Sequence, residues 1–449
     1  MKKNELLNKA DEAAEMLSGK NALGFDVYVR SSSSTSVEVK EQKLDAFEEA
    51  STWGIGVRVL GDGGRMGFAF STGSDAAARE AALMALENTR SAEPDEYNTI
   101  PAPPTAPYPT VAEFDEGIRH LSEQDKITRA MTLEKAAMDF DPRIKKVRKA
   151  SASFTESHWA LVSSTGVRAG SSGTYLSCGI MTVAEEGGDS QMGYDFDYKR
   201  TVDGIDFVKV GRGAAENAVS LLGARKAPSG MFPVMLDNIV STEFLGVLAS
   251  SFSAENLLKG KSLFRDRLND MVCSSLINIY DDGLLPGGVA TRAFDDEGIP
   301  SQRTPLVVDG RLIGFLHSSY TARKYGGMST GNSSRGGFRS QPGVGGTNLY
   351  IEKGAASRDS LLSSVSSGIL VQEVLGMHTA NPISGDFSVG VSGQWIEGGR
   401  LAYPVREAAI SGNILSVFSE VEAIADDMRF TGRLGAPSIL LKPISVSGS

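Results

Sequence analysis

Apolar positions follow two different periods along the N-terminal half of the chain. Repeats every three or four residues predict helices, whereas strict alternation predicts half-buried strands. The predicted helices span about 5–18, 74–89 (capped by Ser74 and Asp75), 122–140 and 207–222. The predicted strands are 25–29, 36–40, 53–60, 65–71 and several between 147 and 197. The order helix, strands, helix thus loosely recurs, which suggests an internal duplication.

Glycine and proline divide the chain into units. Gly61-Asp62-Gly63-Gly64 supplies the positive φ of a tight hairpin, and residues 100–109 hold five prolines, which favours an extended linker. After about residue 226 glycine becomes more frequent and short alternating strands dominate. We therefore predict an N-terminal α+β subdomain at 1–99, a proline-rich linker at 100–110, a second α+β subdomain at 111–225 and a β-rich domain at 226–449.

The C-terminal half shows two hairpin signals and little helix. Asp309-Gly310 lies between the strand-like segments of 306–315, and Glu397-Gly398-Gly399 lies between those of 394–403. Only 239–258 and 361–367 are predicted as helices here. The predicted fold class is α+β: an N-terminal helix and antiparallel-sheet domain followed by a mainly antiparallel, curved, barrel-like β domain.

Composition and charge exclude several classes of protein. With 45 Lys and Arg against 55 Asp and Glu, the net charge is −10, which disfavours general binding to nucleic acid or anionic lipid. Cys178 and Cys273 lie far apart, so neither a disulfide framework nor a thiolate zinc cluster is expected. No apolar segment approaches the roughly 20 residues that cross a bilayer, and acidic residues interrupt the first 15 positions. We expect a cytoplasmic protein without a secretory signal.

Motifs for common catalytic sites are missing. The four histidines, His120, His158, His317 and His378, have no helical spacing to another metal ligand, which favours structural roles. Asp281-Asp282 and Asp295-Asp296-Glu297 could bind a hard cation or act as acid and base, but a glycine follows each run, which favours turn carboxylates facing water.

The segment 325–338 is rich in glycine and serine. We predict a mobile loop outside the packed core. The sequence does not decide whether this loop covers a binding site or only forms flexible surface.

The C-terminal half contains segments that together resemble the TldD/PmbA family, described as modulators of DNA gyrase and as peptidase U62. The resemblance covers essentially the whole chain. Its segments are Thr330-Gly331-Asn332, 345–352, Gly376-Met377-His378 through Gly390, 393–399 and 402–405.

The family has two member types, and this chain is similar to the second. The TldD type carries an HExxxH zinc motif and a later cysteine ligand. The PmbA or TldE type lacks them and pairs with TldD in a heterodimeric metalloprotease that degrades unfolded peptides and matures a microcin precursor. Here 245–250 fills the motif position without a zinc ligand, and 429–441 contains no cysteine. The resemblance implies a non-catalytic subunit with no catalytic residue, metal ligand or cofactor of its own, and zinc in a TldD-like partner.

The resemblance also implies a surface for the peptide or the partner. The candidates are Asn332, Asn348, His378, Asn381 and Asp386. Self-association of the isolated chain is a further expectation, because a surface that meets a homologous partner can also meet itself.

Two alternatives stay open. The chain could be a metallopeptidase in its own right that uses Asp281, Asp282, Asp296, Glu297 or His378, or a non-proteolytic module that binds gyrase or a toxin system. The sequence leaves the physiological substrate undecided.

Overall fold

The computed structural model describes residues 1–20, 22–74 and 76–448. The N-terminal half contains, in chain order, α1 (Lys3–Leu17), β1 (Gly24–Lys40), β2 (Lys43–Leu60), β3 (Met66–Thr72), α2 (Ala77–Asn88), α3 (Glu116–Arg119), α4 (Glu123–Met138), β4 (Ile144–Ser163), β5 (Arg168–Glu186), β6 (Asp189–Lys199) and α5 (Phe207–Ser220). Its six strands form one antiparallel sheet in the order β3-β2-β1-β4-β5-β6.

The sheet consists of two three-stranded meanders joined by the antiparallel pair β1 and β4. Each meander has a helix before and after it, so the order helix, three strands, helix occurs twice. Side-chain alternation gives the sheet two apolar faces. Val27 and Val29 of β1 pack with α1 and α2 on one face, whereas Tyr28 packs on the other with Phe294 of the C-terminal half.

Local sequence explains where two of the helices begin. The Ser122 hydroxyl accepts a hydrogen bond from the Asp125 amide at 3.1 Å, and the Asp125 carboxylate accepts one from the Ser122 amide at 3.0 Å. The Asp206 carboxylate likewise accepts from the Lys209 amide at 2.9 Å at the start of α5. Such caps satisfy amides that have no partner inside the helix. The predicted cap of α2 at Asp75 lies outside the described residues.

The C-terminal half contains β7 (Arg225–Lys226), β8 (Gly230–Leu236), α6 (Asn238–Ala249), α7 (Ala254–Leu258), β9 (Ile279–Asp282), β10 (Arg303–Val308), β11 (Arg311–Leu312), α8 (Ser319–Tyr325), β12 (Ser333–Ser334), β13 (Gly343–Val344), β14 (Leu349–Ile351), α9 (Arg358–Ser364), β15 (Ser367–Leu375), β16 (Asp386–Glu397), β17 (Arg400–Asn413), α10 (Ile414–Ser419), β18 (Val421–Ile424), β19 (Arg429–Thr431), β20 (Leu434–Ala436) and β21 (Ile439–Gly448). Strands β21, β8, β15, β16 and β17 pair in sequence, and β17 pairs back to β21, which closes a barrel-like ring. The predicted α+β fold class is confirmed.

A second sheet of six short strands, ordered β11-β10-β9-β14-β20-β19, lies beside this ring. Helix α6 packs between them, because Phe244 and Leu248 belong to the same apolar cluster as Ile369 of β15 and Ile279 of β9. This helix holds the position that the family resemblance marks for zinc. No helix within the described ranges is long and apolar enough to span a membrane.

Several sequence predictions need correction. The serine run does not separate two strands, because β1 is continuous and pairs with β2 and β4 through its backbone at Ser31–Ser34. Helices α8 and α10 were not predicted; both have fewer than eight residues, too short for a clear helical period. The predicted turns were right, since Asp309 and Gly310 have φ of 49° and 75°, and Gly398 and Gly399 have φ of 55° and 75°.

The glycine- and serine-rich segment 325–338 is also not confined to the surface. Asn332, Ser333 and Arg335 in it are buried. Its Phe338 ring lies where a side chain on Gly54 of β2 would stand, 2.4 Å from that Cβ position. The prediction of a loop outside the packed core is therefore wrong for the later part of this segment. That part contacts both the N-terminal and the C-terminal half of the molecule.

Candidate functional site

Helix α6 carries the position at which the family's zinc motif is expected. Leu245 is 0% exposed within the apolar core, and a Cβ added to Gly246 would contact Leu434 of β20 at 3.5 Å. Ser250 follows the last residue of the helix. Zinc sites in proteins use thiolate, imidazole or carboxylate donors. Leu245, Gly246 and Ser250 offer none of them, so these residues do not fit a zinc ion.

The cysteines do not compensate for the missing ligands. Cys178 and Cys273 lie in different apolar clusters, and burial raises the pKa of each thiol to about 12, which disfavours the thiolate. Across residues 1–20, 22–74 and 76–448, no group of three or more His, Cys, Asp or Glu side chains is arranged to hold a metal ion. The expectation that zinc resides in a partner stays a prediction.

Two of the four histidines are built into the fold. The His158 ring bonds to Ser172 Oγ at 2.7 Å and to Glu156 Oε1 at 2.6 Å on the sheet. His317 is partly buried, and burial lowers its pKa. His120 and His378 are exposed.

The acidic runs that the sequence singled out form a buried network. Asp281 is 1% exposed and accepts hydrogen bonds from the Thr347 amide (2.6 Å) and hydroxyl (2.8 Å) and from Asn332 Nδ2 (2.6 Å). Asp282 Oδ1 accepts from the Leu284 amide at 2.8 Å. Burial raises the pKa of Asp281. The prediction of turn carboxylates facing water is wrong here, because these carboxylates hold neighbouring loops.

The second acidic run is buried in the same manner. Asp296 Oδ2 accepts from the Arg335 amide at 2.6 Å, and Glu297 accepts from Arg58 Nη2 at 3.1 Å and from the Ser319 amide at 3.0 Å. His378 lies elsewhere, in the turn after β15. A metallopeptidase site built on these residues would need their side chains to converge on one metal ion. Such a group of side chains is not found among the described residues.

The five candidates for a peptide- or partner-facing surface lie in two places. Asn332 and Asn348 are 2% and 0% exposed and join the Asp281-Asp282 network: Asn348 Nδ2 donates to the Asp282 carbonyl at 2.7 Å. His378, Asn381 and Asp386 are exposed and lie between β15 and the start of β16. Asn381 Oδ1 accepts from the Ile383 amide at 2.9 Å and so shapes this loop. Contact of either group with a peptide or partner stays a prediction.

A pair of neighbouring carboxylates, one of which lines a cleft beside α6, was missed by the sequence analysis. Glu243 of α6 and Glu373 of β15 lie near Tyr194 of β6, where α5 approaches the C-terminal half. Burial, and then the charge of Glu373, raise the pKa of Glu243 from its ordinary 4.5 to about 7. The nearby Gln372 Oε1 has no hydrogen-bond partner among the described residues. No motif marks this pair, because its members are 130 positions apart.

The raised pKa of Glu243 predicts a pH-dependent stability. The folded chain retains this proton up to about pH 7, whereas the unfolded chain releases it near 4.5, so folding loses stability as the pH rises between these values. Glu243→Gln should remove that loss, giving a higher urea midpoint than wild type at pH 8 and a similar one at pH 4.5. The exposed Glu216→Gln on α5 is the control. An equal pH dependence in all three proteins would contradict this assignment.

Comparison with known proteins places the chain. Models of PmbA/TldA metallopeptidase domain 1, central domain and C-terminal domain match residues 25–89, 116–222 and 229–448. The chain belongs to the PmbA/TldD family. The metalloprotease PmbA of Escherichia coli O157:H7 is 27% identical over 443 residues, which cover 97% of this chain and 94% of that protein. The resemblance deduced from the sequence is confirmed.

Solved structures of other proteins share the fold. A crystal structure from Thermotoga maritima, described as a candidate modulator of a DNA gyrase, has a TM-score of 0.91 at 25% identity and covers 98% of this chain and 99% of its own. TldE from Thermococcus kodakarensis has a TM-score of 0.88 and covers 97% and 100%. At 21% identity the latter shows the fold alone.

Proposed function

We propose that this chain is a non-catalytic, PmbA/TldE-like subunit of a TldD-type zinc metalloprotease that acts on unfolded peptides. The observation that carries the proposal is the family fold combined with the residues on α6. Leu245 and Gly246 pack within the fold at the position of the zinc motif. In this proposal a TldD-like partner forms a heterodimer with the chain and provides the zinc ion and the catalytic groups.

The fold is compatible with a role in presenting a peptide. The six-stranded sheet ends in β3 and β6, and an extended peptide can pair with the edge of a sheet through its main chain. Such pairing tolerates many side-chain sequences, as degradation of unfolded peptides requires. The two free cysteines are buried and fit a reducing compartment, so we propose that the assembly works in the cytoplasm.

Metal content and peptide cleavage test the proposal together. The chain, a TldD-like protein and their mixture are purified, analysed for zinc and incubated with an unfolded peptide. We expect zinc and cleavage with the mixture, and neither with this chain alone. Stoichiometric zinc and cleavage by the chain alone would make it a peptidase in its own right. A mixture no more active than the TldD-like protein alone would remove the subunit role.

A substitution of Ser250, at the last position of the expected zinc motif, tests whether this position is structural or takes part in catalysis. The side chain of Ser250 has no hydrogen bond within the described residues, whereas its carbonyl accepts from Asn256 Nδ2 at 2.8 Å. Ser250→Ala should therefore leave folding and cleavage by the mixture unchanged. A large loss of cleavage with normal complex formation would show that this position takes part in the reaction.

A further inference from the structure

A cleft lined by arginines opens between the sheet and the loops of the C-terminal half. We call it the arginine cleft and define it by Arg30, Arg200, Arg292, Arg335 and Arg433. Its volume is about 210 Å³, and Tyr28, Trp159 and Tyr175 form an aromatic wall. It lies on the sheet face opposite α1 and α2, since Tyr28 alternates with Val27 and Val29 along β1.

The cleft is rich in positive charge, whereas the chain as a whole is acidic. The whole protein has a net charge of −10, yet five guanidinium groups line the cleft together with one carboxylate, Asp296. Arg292 Nη1 lies 3.5 Å from Asp296 Oδ2. Asp26 and Glu297 beneath the cleft are balanced by Arg58 and Arg335. Arg30 and Arg433, which make no ion pair within the described residues, therefore leave the cleft with an excess of positive charge.

Arg200 shows how one of these charges is held without an ion pair. Its guanidinium donates only to backbone carbonyls among the described residues: those of Gly288 (2.7 Å), Glu113 (2.9 Å), Val289 (2.6 Å) and Thr291 (2.6 Å). These bonds fix the guanidinium and the loop 288–291 relative to each other. The buried Glu113 carboxylate also lies near: burial raises its pKa, and the charges of Arg200 and Arg292 oppose that rise.

Two buried donors beside the cleft lack an acceptor. The Arg335 side chain is 0% exposed and pairs through Nη2 with Asp26 at 2.9 Å, but its Nη1 has no hydrogen-bond partner among the described residues. Arg292 Nε is likewise buried without one. Buried N–H groups are nearly always satisfied in folded proteins, and leaving one unsatisfied is costly.

We propose that the arginine cleft is a binding site for a small ligand that carries an oxyanion, either a carboxylate or a phosphate. Guanidinium groups bind both through paired, charge-assisted hydrogen bonds. The aromatic wall suits an apolar or planar group next to the anion. The site is separate from the α6 position, and the inference does not depend on the proposed subunit role.

Calorimetric titration of the purified chain tests this site. The probes are inorganic phosphate, and one short peptide as the free acid and as the C-terminal amide. We expect phosphate or the free acid to bind, and the amide to bind about tenfold or more weakly than the free acid if the ligand is a carboxylate. Binding of phosphate alone assigns the site to phosphate esters. Absence of binding by all three probes at millimolar concentration would overturn the proposal.

Arginine substitutions locate the binding. Arg433 is exposed and makes no side-chain hydrogen bond or ion pair within the described residues, so Arg433→Ala should fold normally and weaken binding about tenfold or more. Arg30→Ala should act similarly, since the one side-chain hydrogen bond of Arg30 within the described residues goes to Ser157 Oγ at 3.3 Å. Arg400→Ala, at the exposed start of β17, is the matched control and should bind like wild type. Unchanged binding in Arg433→Ala and Arg30→Ala, or an equal loss in Arg400→Ala, would overturn the assignment.

Discussion

Replacing Asp26 with alanine is expected to lower the free energy of unfolding by about 3–5 kcal/mol. Asp26 is 2% exposed on β1 and accepts hydrogen bonds from Arg58 and from Arg335. Arg58 also reaches Glu297, so this cluster joins the N-terminal sheet to the C-terminal loops. Removal of Asp26 leaves Arg58 paired with Glu297 alone, and leaves the buried Arg335 guanidinium with the Asp296 backbone carbonyl as its acceptor within the described residues. Urea unfolding of the variant and the wild type at pH 7 measures the difference.

The matched control is Asp11→Ala, which breaks an exposed pair. Asp11 lies 2.8 Å from Arg168, with side chains 33% and 54% exposed, so its loss should cost less than about 1 kcal/mol. Equal small losses in both variants would show that the buried cluster does not hold the two halves together.

The same cluster predicts a response to acid. Burial alone would raise the pKa of Asp26, but the charges of Arg335 and Arg58 hold it below its ordinary value of 3.8. The folded state therefore binds this proton less readily than the unfolded chain. The stabilisation by Asp26 is complete above pH 3.8 and is lost as the pH falls through the lower value of the folded chain. In Asp26→Ala the free energy of unfolding should therefore fall less steeply than in the wild type as the pH drops below 3.8.

Short sequence patterns correctly predicted the helices and turns that are determined by neighbouring residues. Helices α1, α4 and α5 were expected within three residues of their observed ends, because each has an apolar stripe. The Asp309-Gly310 turn was predictable because few residues tolerate its positive φ. The serine run was misleading because a strand with neighbours on both sides is held by its backbone, whatever its side-chain alternation.

Long-range polar contacts explain what the sequence could not show. Asp281, Asp296 and Glu297 resemble turn carboxylates in sequence, and only the fold brings Arg58, Asn332 and Arg335 to them. The arginine cleft collects side chains from position 30 to position 433, and no short motif spans such distances. The position on α6 could be located from the sequence only because a family motif with fixed spacing marks it.

The second large effect is expected for Phe244→Ala on α6. Phe244 is 0% exposed, and its ring lies 5.3 Å from that of Phe387 at 80°, an edge-to-face contact in the largest core. Removing the ring should cost about 3–5 kcal/mol, through lost burial and the cavity left behind. Urea unfolding measures this loss, and Phe70→Ala on β3, where the ring is 45% exposed, should cost less than about 1 kcal/mol.

This result bears on how α6 is used. Val240, Phe244 and Leu248 are spaced four residues apart and are all buried, so one face of α6 is committed to the core. Leu245 is buried beside them, at the first position of the zinc motif. A helix packed in this way stabilises the barrel. If Phe244→Ala unfolded like the wild type, the packing of α6 would not be essential, and the structural role argued for this helix would lose its support.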